Sequence, residues 1–525
     1  MSGLPAPRIA AQDALWLRLD RPENRMVVTS VLWTATPVDP DRLRSVVADR
    51  LLARYPVYLR RPAGPRWETD PDFDLDRHLR IGTVPSPGTQ AQLQEFAAAR
   101  RGGAFDPDHP LWTVDLLQGY GSGSAVVVCT HHSMADGIRL TQVLFSLLDP
   151  DSGTGGPPAR VGGAAPRRPS SDRPVARAGA SVVRSLDDLG AAVRRAAAKA
   201  GPVAESLVAV PVHATTAAAG ITAAATGFGA SLVGGGPRRA LERAASAVTS
   251  LRHSAAGLAA LALAPEASPE WDGQPGPDKT AAWGDPVPLA GLADLGHATG
   301  TTVNDVCLAL VAGAFDRYLD RPGEDRERTG LPWLVPVSLT AFDAELPDRL
   351  GNHFSLVFAR LPRGLGTFAE RLAETHRLLA RIRDSYEPVV NYGLQHLVAR
   401  APGPVSGLLS DFLSAKAVGV LTNVPGPRET RTLAGARVEG IVGWAPCSGK
   451  QAITVCVFSY AGQVRFGFGT DRRLLPEPGE LVAALDEEVA AALSAARPDT
   501  TESASTRASG ARPASAVTPT KTRSP

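Results

Sequence analysis

Apolar positions in the first 150 residues alternate between short strand-like runs and helix-like spacing. Strands are predicted at Met26–Ala35, Leu111–Tyr120 and Ser124–His132, and the Gly-Ser-Gly between the last two favours a hairpin. Helices are predicted at Asp39–Pro56, where the proline closes the helix, and at Gly137–Asp149. Interleaved strands and helices are typical of an α/β unit.

The same alternation returns in the second half of the chain. Thr302–Leu319 has the spacing of a strong helix. A closing amphipathic helix is predicted near the C-terminus, and strands are predicted at Pro332–Leu339, Ser355–Pro362, Gln451–Tyr460 and Gln463–Asp471. The predicted fold class is therefore α/β, with two halves of mixed β-sheet flanked by helices.

A compositional change separates the two halves. The first part of residues 151–276 is rich in Gly, Pro, Arg and Ser, and two Ala-rich helical patterns follow. We expect a flexible linker and a long helical crossover here. The predicted organisation is an N-terminal half at 1–150, the linker and crossover at 151–276, a C-terminal half at 277–496, and a disordered tail at 497–525.

The composition suits two large folded units and excludes several classes of protein. The chain has 525 residues, 44% of them apolar, which is enough for a sizeable core. The formal net charge of +2 gives no reason to expect a nucleic-acid partner. The four cysteines are scattered without metal-like spacing, which predicts buried reduced thiols, no metal site and a cytoplasmic protein.

Neither a signal peptide nor a clear membrane span is predicted. The N-terminal segment has polar and charged residues where a signal peptide needs an apolar core. The nearest candidate for a span, Ser206–Pro237, is mostly Ala, Gly and Thr and is interrupted by Pro211. Packing on protein is therefore favoured over membrane insertion for this segment.

The segment HHSMADG, residues 131–137, carries the clearest chemical signal. A buried strand is predicted to end at its two histidines, and a helix is predicted to begin after Asp136 and Gly137. A neutral imidazole held at a strand end can take a proton from a hydroxyl near pH 7. The fixed residues of HHxxxDG should arise by chance in roughly one such chain in a thousand, which favours a functional role.

The two histidines are not expected to serve the same site, because adjacent residues on a strand point to opposite faces. One catalytic and one structural histidine are therefore predicted, and a metal centre built from both is disfavoured. The residues alone leave open whether His131 or His132 is the catalytic one. Asp136 orients the ring, pairs with an arginine, or caps the following helix.

This motif resembles that of the CoA-dependent acyltransferase superfamily, which includes chloramphenicol acetyltransferase and peptide-synthetase condensation domains. Beyond it, the chain is similar to the bacterial wax ester synthase/diacylglycerol acyltransferase family. The motifs that carry this similarity are, in chain order, DPDFDLDRHLR from Asp70, PLW from Pro110, ND from Asn304, PVSL, LGNHFSLVF, TNVPGP and SYAGQVRFGFGTD. The resemblance implies two chloramphenicol-acetyltransferase-like halves joined by a long crossover.

The resemblance also implies roles for particular residues. His132 would be the general base that deprotonates an acceptor hydroxyl, which then attacks the thioester of acyl-CoA. His131 would support the site, and Asp136 would be mainly structural. Gly137 would bind substrate or support the site from the start of the helix.

Asn304 and Asp305 would support the site from the second half. Their alternative role is at a helix N-terminus, with Asn304 as the cap and Asp305 favoured by the helix dipole. Two further motifs have turn chemistry: Gly351 and Asn352 suit a turn, and TNVPGP suits a loop.

The function implied by the resemblance is O-acyl transfer from acyl-CoA, a co-substrate used without another cofactor, to diacylglycerol or a long-chain alcohol. One alternative is a condensation-type acyltransferase that acts on a non-lipid acceptor or a carrier-protein thioester. Another is a catalytically inactive lipid-surface protein, which the intact HHSMADG disfavours. The expected location is cytoplasmic, with peripheral association with the inner face of the plasma membrane or a lipid droplet.

Overall fold

The computed structural model describes residues 6–151, 267, 269–319, 330–338, 346–347, 349–385 and 387–495. Most of the predicted linker and crossover at 151–276 lies outside these residues, as do the segment 206–237 and the predicted tail at 497–525. The described residues contain the strands and helices predicted for both halves.

The described helices begin mostly where a polar side chain can cap them. They are α1 (Ala11–Leu19), α2 (Pro40–Val46), α3 (Leu75–His78), α4 (Gln90–Gly102), α5 (Gly137–Ser146), α6 (Leu289–Thr299), α7 (Val303–Leu319), α8 (Phe368–Asp384), α9 (Glu387–Arg400), α10 (Gly403–Ser414) and α11 (Pro478–Ala495). The side chains of Asp39, Thr89, Asp136 and Thr367 each accept a hydrogen bond from a backbone N–H in the first turn of α2, α4, α5 and α8.

The described strands include those predicted from the sequence and add others, of which the nine-residue β14 is the longest. They are β1 (Val27–Thr34), β2 (Arg60–Ala63), β3 (Arg66–Thr69), β4 (Leu79–Thr83), β5 (Trp112–Tyr120), β6 (Gly123–His131), β7 (Asp149–Pro150), β8 (Lys279–Trp283), β9 (Val287–Pro288), β10 (Leu331–Ser338), β11 (Phe354–Leu361), β12 (Gly419–Pro425), β13 (Arg431–Leu433), β14 (Ala436–Trp444), β15 (Ile453–Tyr460) and β16 (Gln463–Asp471).

Two predictions about local structure are corrected. The helix predicted at Asp39–Pro56 is interrupted, because α2 passes into a π-helical turn at Val47–Leu52 and Pro56 begins a separate 3-10 turn. TNVPGP does not form a loop throughout, because Thr422–Pro425 belongs to β12, which pairs in parallel with β15. Only the Gly-Pro that follows leaves the strand.

The first sheet combines strands from both halves of the chain, in the order β4-β5-β6-β1-β14-β13-β7. β5 and β6 form the predicted antiparallel hairpin, and β1 pairs with β6 on one side and β14 on the other. In the β1–β14 pairing, Thr29 lies opposite Trp444 and Leu32 lies opposite Ile441. A strand from the second half therefore lies in the middle of the sheet that carries the two histidines.

The second sheet has the order β11-β10-β12-β15-β16-β8, with β9 also paired to β16. β12 pairs in parallel with both β10 and β15, whereas the other pairings in this sheet are antiparallel. In the first sheet β4 and β5 are parallel, so both sheets are mixed. Helices pack on both, which confirms the predicted α/β class.

The N-terminal helix α1 packs against the second half rather than against its own sheet. Its Leu15 and Leu19 form a small apolar cluster with Val398 and Ala399 of α9. The Arg18 guanidinium donates to the Ala399 carbonyl at 2.7 Å. This packing holds one face of α1 over the end of β6, where the histidines lie.

Candidate active site

The backbone around the end of β6 separates the two histidines. The His131 N–H donates to the Leu111 carbonyl at 2.9 Å, whereas the next N–H, that of His132, donates to the Met26 carbonyl at 2.7 Å. Successive residues thus bond to different neighbouring segments and direct their side chains to different surroundings. Asp136 then caps α5, which begins at the next residue.

The His132 ring is buried between two aromatic side chains and one amide. The Trp16 ring stacks on it with centroids 4.3 Å apart, and the Phe354 ring lies 5.5 Å away. Its Nδ1 is 2.9 Å from the Asn352 Oδ1. Burial lowers the pKa of His132 below its ordinary value, against the opposing effects of a hydrogen bond to its own backbone, the Asp136 charge and the Asn352 hydrogen bond. The ring is therefore neutral at pH 7 and can accept a proton.

The His131 ring contacts a separate set of residues. Its Nδ1 accepts from the Ser133 N–H at 3.1 Å, and its Nε2 lies 3.8 Å from the Asp20 carboxylate. Phe105 meets it edge-on, with ring centroids 6.4 Å apart. Burial lowers the pKa of His131 to about 4, although Asp20 acts in the opposite direction. These contacts join the motif to the connection between α1 and β1.

Asp136 joins the two halves as well as capping α5. One carboxylate oxygen accepts from the Arg139 N–H at 2.9 Å, and the other accepts from the His353 N–H at 2.9 Å. The Asp136 N–H donates to the Gly351 carbonyl at 3.3 Å. The sequence left three roles open for Asp136, and the geometry places its carboxylate at the helix cap and on the 351–353 loop.

Asn352 and Asp13 complete the surroundings of His132. The Asn352 side-chain N–H group donates to the Asp13 carboxylate and to the His132 carbonyl, both at 2.9 Å. Burial raises the pKa of Asp13 to about 6, although the hydrogen bonds from Asn352 and the charge of Arg349 act to lower it. Asn352 was predicted only as a turn residue, but it is buried and links three parts of the chain.

The Asn304–Asp305 pair lies at the start of α7. The Thr302 hydroxyl accepts from the Asp305 N–H at 3.2 Å, and the Asp305 carboxylate accepts from the Thr302 N–H at 2.8 Å and lies 2.8 Å from the His376 ring. Thr302, rather than Asn304, is therefore in the capping position. Asn304 accepts from the Asn423 amide at 2.8 Å, and Asn423 lines the cavity that contains His132.

His132 lies on the wall of a cavity with about 960 Å³ of free space, part of it open to solvent. The cavity lies between the halves, since it is also lined by Gly137, Ile138, Leu334, Phe354, Leu356, Val420, Val424 and Trp444. A Cβ placed on Gly137 would meet no atom within 4 Å, so the glycine leaves this part of the wall open. Neither His131 nor Asp305 lines this cavity.

A second cavity, with about 770 Å³ of free space, shares part of its wall with the first. Trp16, Leu334, Phe354 and Leu356 line both cavities. The second cavity extends among α1, α9 and α10, and most of its exposed wall is apolar, although several polar side chains also line it. Its other apolar lining residues are Leu15, Phe358, Leu394, Val398 and Leu413, and its polar ones are Gln12, Asn352, Asn391, Gln395, Ser410, Ser414 and Ser448. Two mainly apolar spaces therefore meet beside the Trp16–His132 stack.

Within the described residues, no group of three or more His, Cys, Asp and Glu side chains could hold a metal ion. All four cysteines are buried and free, as predicted, and burial raises the pKa of each thiol. No single helix of the described residues has the length and apolarity needed to span a membrane, and α6 with α7, bent by 100°, meet those criteria only as a pair.

Two family models match the chain over both halves. The wax ester synthase/diacylglycerol acyltransferase catalytic domain matches residues 9–256, and the C-terminal domain of the same family matches residues 350–491. The chain belongs to this family. The matched ranges contain His132, Asp136 and Asn352, so the contacts among them lie within the family's two domains.

Relatives of this family member include several mycobacterial proteins. It is 29% identical to a putative diacylglycerol O-acyltransferase of Mycobacterium bovis, over 86% of this chain and 88% of that protein. It is 27% identical to a putative diacylglycerol O-acyltransferase of Mycobacterium tuberculosis, over 94% of this chain and 98% of that protein. The similarity therefore covers nearly the whole length of these relatives.

Two solved structures share the fold of this family member. The wax ester synthase/diacylglycerol acyltransferase of Marinobacter aquaeolei VT8 has a TM-score of 0.58 at 20% identity, covering 93% of this chain and all of that one. The first condensation domain of the calcium-dependent antibiotic synthetase has a TM-score of 0.51 at 16% identity, covering 94% of this chain and 97% of that one. These likenesses support the predicted two-part architecture.

Sequence reasoning missed four residues around His132, namely Asp13, Trp16, Asn352 and Phe354. Asp13 and Trp16 lie three positions apart in an otherwise mostly apolar helix, so they share a face. A buried acidic residue on that face is unusual and was a usable signal. Asn352 gave no comparable signal, because an Asn after a Gly equally suits an exposed turn.

Proposed function

We propose that this family member transfers a fatty acyl group from acyl-CoA to a lipid hydroxyl, either that of diacylglycerol or that of a long-chain alcohol. The relatives named as diacylglycerol O-acyltransferases support the class of reaction. The observation that carries the proposal is a neutral, buried His132 on the wall of a largely apolar cavity between the halves. Such a cavity suits long hydrocarbon chains.

His132 acts as the general base in this proposal. Its Nε2 takes the proton of the acceptor hydroxyl while the hydroxyl oxygen forms a bond with the thioester carbonyl carbon. The carbon–sulfur bond then breaks, and the proton on Nε2 passes to the CoA thiolate, which restores neutral His132 and releases the ester and CoA. Acyl-CoA is a co-substrate, and the reaction balances without a metal or another cofactor.

The adjoining cavities support a division of the two substrates. The donor thioester and the acceptor hydroxyl must both reach His132, yet their hydrocarbon chains need separate spaces. The 960 Å³ and 770 Å³ cavities meet at Trp16 and Phe354, next to the ring. We propose that one chain occupies each cavity, with the reacting groups beside His132.

We further propose that the protein takes its acceptor from a lipid surface through the outer face of α10. Val405, Leu408 and Phe412 share one face of this helix and are 46%, 71% and 44% exposed. The inner face of α10 supplies Leu413 to the wall of the apolar cavity. The same helix thus presents an apolar face to the outside and an apolar side chain to the cavity, an arrangement that suits a helix lying on a lipid surface.

The reaction is tested with the purified full-length chain, oleoyl-CoA and either diolein or hexadecanol. CoA release should be accompanied by triacylglycerol or wax ester, identified by mass spectrometry. His132→Ala should lower kcat by roughly 10²- to 10⁴-fold while the protein remains folded.

Each alternative function has its own outcome in the same assay. Turnover only with a carrier-protein thioester or a non-lipid acceptor would support a condensation-type enzyme. A folded chain that turns over none of these substrates would support an inactive lipid-surface protein. Ordinary activity in folded His132→Ala would refute His132 as the base.

A further inference from the structure

We infer that Asn352 selects the tautomer of His132, keeping the ring proton on Nδ1 and leaving Nε2 bare, and that Asp13 holds Asn352 in the orientation this requires. The functional part of the inference rests on the proposed role of His132 as general base. Asn352 and Asp13 are positioning residues in this account, because they act through the ring and touch no reacting atom.

The orientation of the Asn352 amide follows from its two acceptors. Its side-chain nitrogen lies 2.9 Å from a carboxylate oxygen of Asp13 and 2.9 Å from the His132 carbonyl oxygen. An ionised carboxylate and a carbonyl can only accept hydrogen bonds. The amide nitrogen must therefore face both of them, and the reversed amide would set its oxygen against two acceptors.

The same orientation decides where the proton of His132 lies. With its nitrogen committed to Asp13 and the carbonyl, Asn352 presents its oxygen to the ring, 2.9 Å from Nδ1. An amide oxygen only accepts, so Nδ1 must donate. A neutral imidazole carries one ring proton, and Nε2 is therefore left with a free lone pair.

This arrangement also favours the protonated state that forms during the reaction. When Nε2 takes the acceptor proton, positive charge spreads over the ring, and the Nδ1–H bond to the Asn352 oxygen becomes charge-assisted. The ionised Asp13 carboxylate lies one residue further along the same hydrogen-bonded chain. A ring with its proton on Nε2 would have no lone pair facing the substrate.

Three variants separate tautomer selection from packing. Asn352→Leu removes the acceptor and should lower kcat about 10- to 100-fold with little change in KM. Asn352→Asp, combined with Asp13→Asn so that two carboxylates do not face each other, restores an oxygen at Nδ1 and should recover part of this loss. It should also move the acidic limb of the kcat profile to higher pH, since a carboxylate stabilises the imidazolium.

Asn24→Leu is the matched control. Asn24 is also a buried asparagine, and its side-chain nitrogen donates to the Gly449 and Gln451 carbonyls, away from the His132 ring. Its replacement should lower the melting temperature without shifting the pH profile. If both Asn352 variants lost the same kcat and neither shifted the dependence of kcat on pH, the inference would be overturned and Asn352 would have only a packing role.

The tautomer itself can be read without an activity assay. In protein labelled with ¹⁵N-histidine, the signals lost in His132→Gln identify this ring. We expect a protonated Nδ1 and a bare Nε2 in the parent protein, and a mixed or reversed state in Asn352→Leu. A protonated Nε2 in the parent would refute the inference even if His132 proves essential, whereas an active His132→Ala would refute only the role of the base.

Discussion

The indole of Trp16 lies nearly parallel to the imidazole of His132, with an angle of 26° between the ring planes. Trp16→Ala should lower kcat about 2- to 10-fold, because an aromatic contact of this kind is worth roughly 0.5–1.5 kcal/mol and keeps the ring in place. Trp16→Phe retains a flat ring and should keep most of the activity. Steady-state kinetics with oleoyl-CoA measure both.

Trp271→Phe is a suitable control for these variants, since Trp271 packs in the core of the second sheet and touches neither cavity. It should lower the melting temperature with little effect on kcat. If Trp16→Ala had the kcat of the parent protein, the stack would have no part in positioning His132.

The acidic limb of the kcat profile should lie below the ordinary histidine pKa of about 6.5. Burial lowers the pKa of His132, so the ring stays neutral and able to accept a proton as pH falls through 6.5. Activity is lost only when pH approaches the lowered pKa or when Asp13 is protonated. Rates measured between pH 4.5 and 8 with a fixed ionic strength test this, and a midpoint above 6.5 would contradict it.

Asp13→Asn should change both the pH profile and the stability. Burial raises the pKa of Asp13 to about 6, with Asn352 and Arg349 acting to lower it and Asp136 to raise it. Because this carboxyl has a higher pKa in the folded protein than in the unfolded chain, its ionisation lowers the free energy of unfolding as pH rises, and the whole loss is present above pH 6. At pH 8 the melting temperature of the variant should therefore be no lower than that of the parent protein. Its kcat should be lower, and any inflection near pH 6 in the plot of kcat against pH should disappear. A clearly lower melting temperature would show that the charge stabilises the fold.

His131→Ala should act on stability more than on chemistry. The His131 ring bonds to Ser133 and faces Asp20, away from the cavity that His132 lines. Loss of this buried contact should cost about 1–3 kcal/mol of unfolding free energy. Urea unfolding combined with kinetics separates the two effects. Lost turnover with unchanged stability would reverse the assignment of the two histidines.

Asp136→Ala should be more destabilising than an ordinary helix-cap substitution. The carboxylate caps α5 and also accepts from the His353 N–H, so both a cap and a contact between the halves are lost. We expect a loss of about 1–3 kcal/mol in unfolding free energy. Asp136→Asn keeps an acceptor for one of the two N–H groups, so its unfolding free energy should fall by less than that of Asp136→Ala. Equal losses would argue against the contact between the halves.

Leu408→Asp should weaken binding to a lipid surface. In flotation with vesicles of phosphatidylcholine and phosphatidylglycerol that contain diolein, the bound fraction should fall, because a charge replaces the most exposed apolar side chain of α10. Ile81→Asp on β4 is the control, since Ile81 is 53% exposed but lies on another element. Equal loss in both variants, or dimerisation through α10 seen by sedimentation, would contradict a lipid-binding role for this face.

Local apolar patterns predicted the elements around His132, because the spacing of apolar residues shows which face of a strand or helix packs on the core. The alternation through Leu111–Tyr120 and the run before His131 gave both strands of the hairpin, and the spacing after Asp136 gave α5. The separation of the two histidines also followed from strand geometry alone, since a period of two holds wherever the strand lies.

The contacts that complete the site could not be predicted in the same way. Asn352 bonds to a ring 220 positions earlier in the chain, and no local pattern encodes such a distance. β14 has a strand-like sequence, but its place beside β1 depends on how the two halves meet. Thr302 capped α7 in place of Asn304 because both residue types favour caps and only the backbone decides between them.

The position of β14 beside β1 has a consequence for synthesis on the ribosome. β1 is synthesised early, but its partner β14 follows about 400 residues later. Because synthesis adds roughly 5–20 residues per second, one edge of β1 has no partner for about 20–80 s. An apolar strand with a bare edge invites pairing between nascent chains. Chains truncated before Ala436 should therefore aggregate, and slow translation of the second half should reduce the yield of native protein.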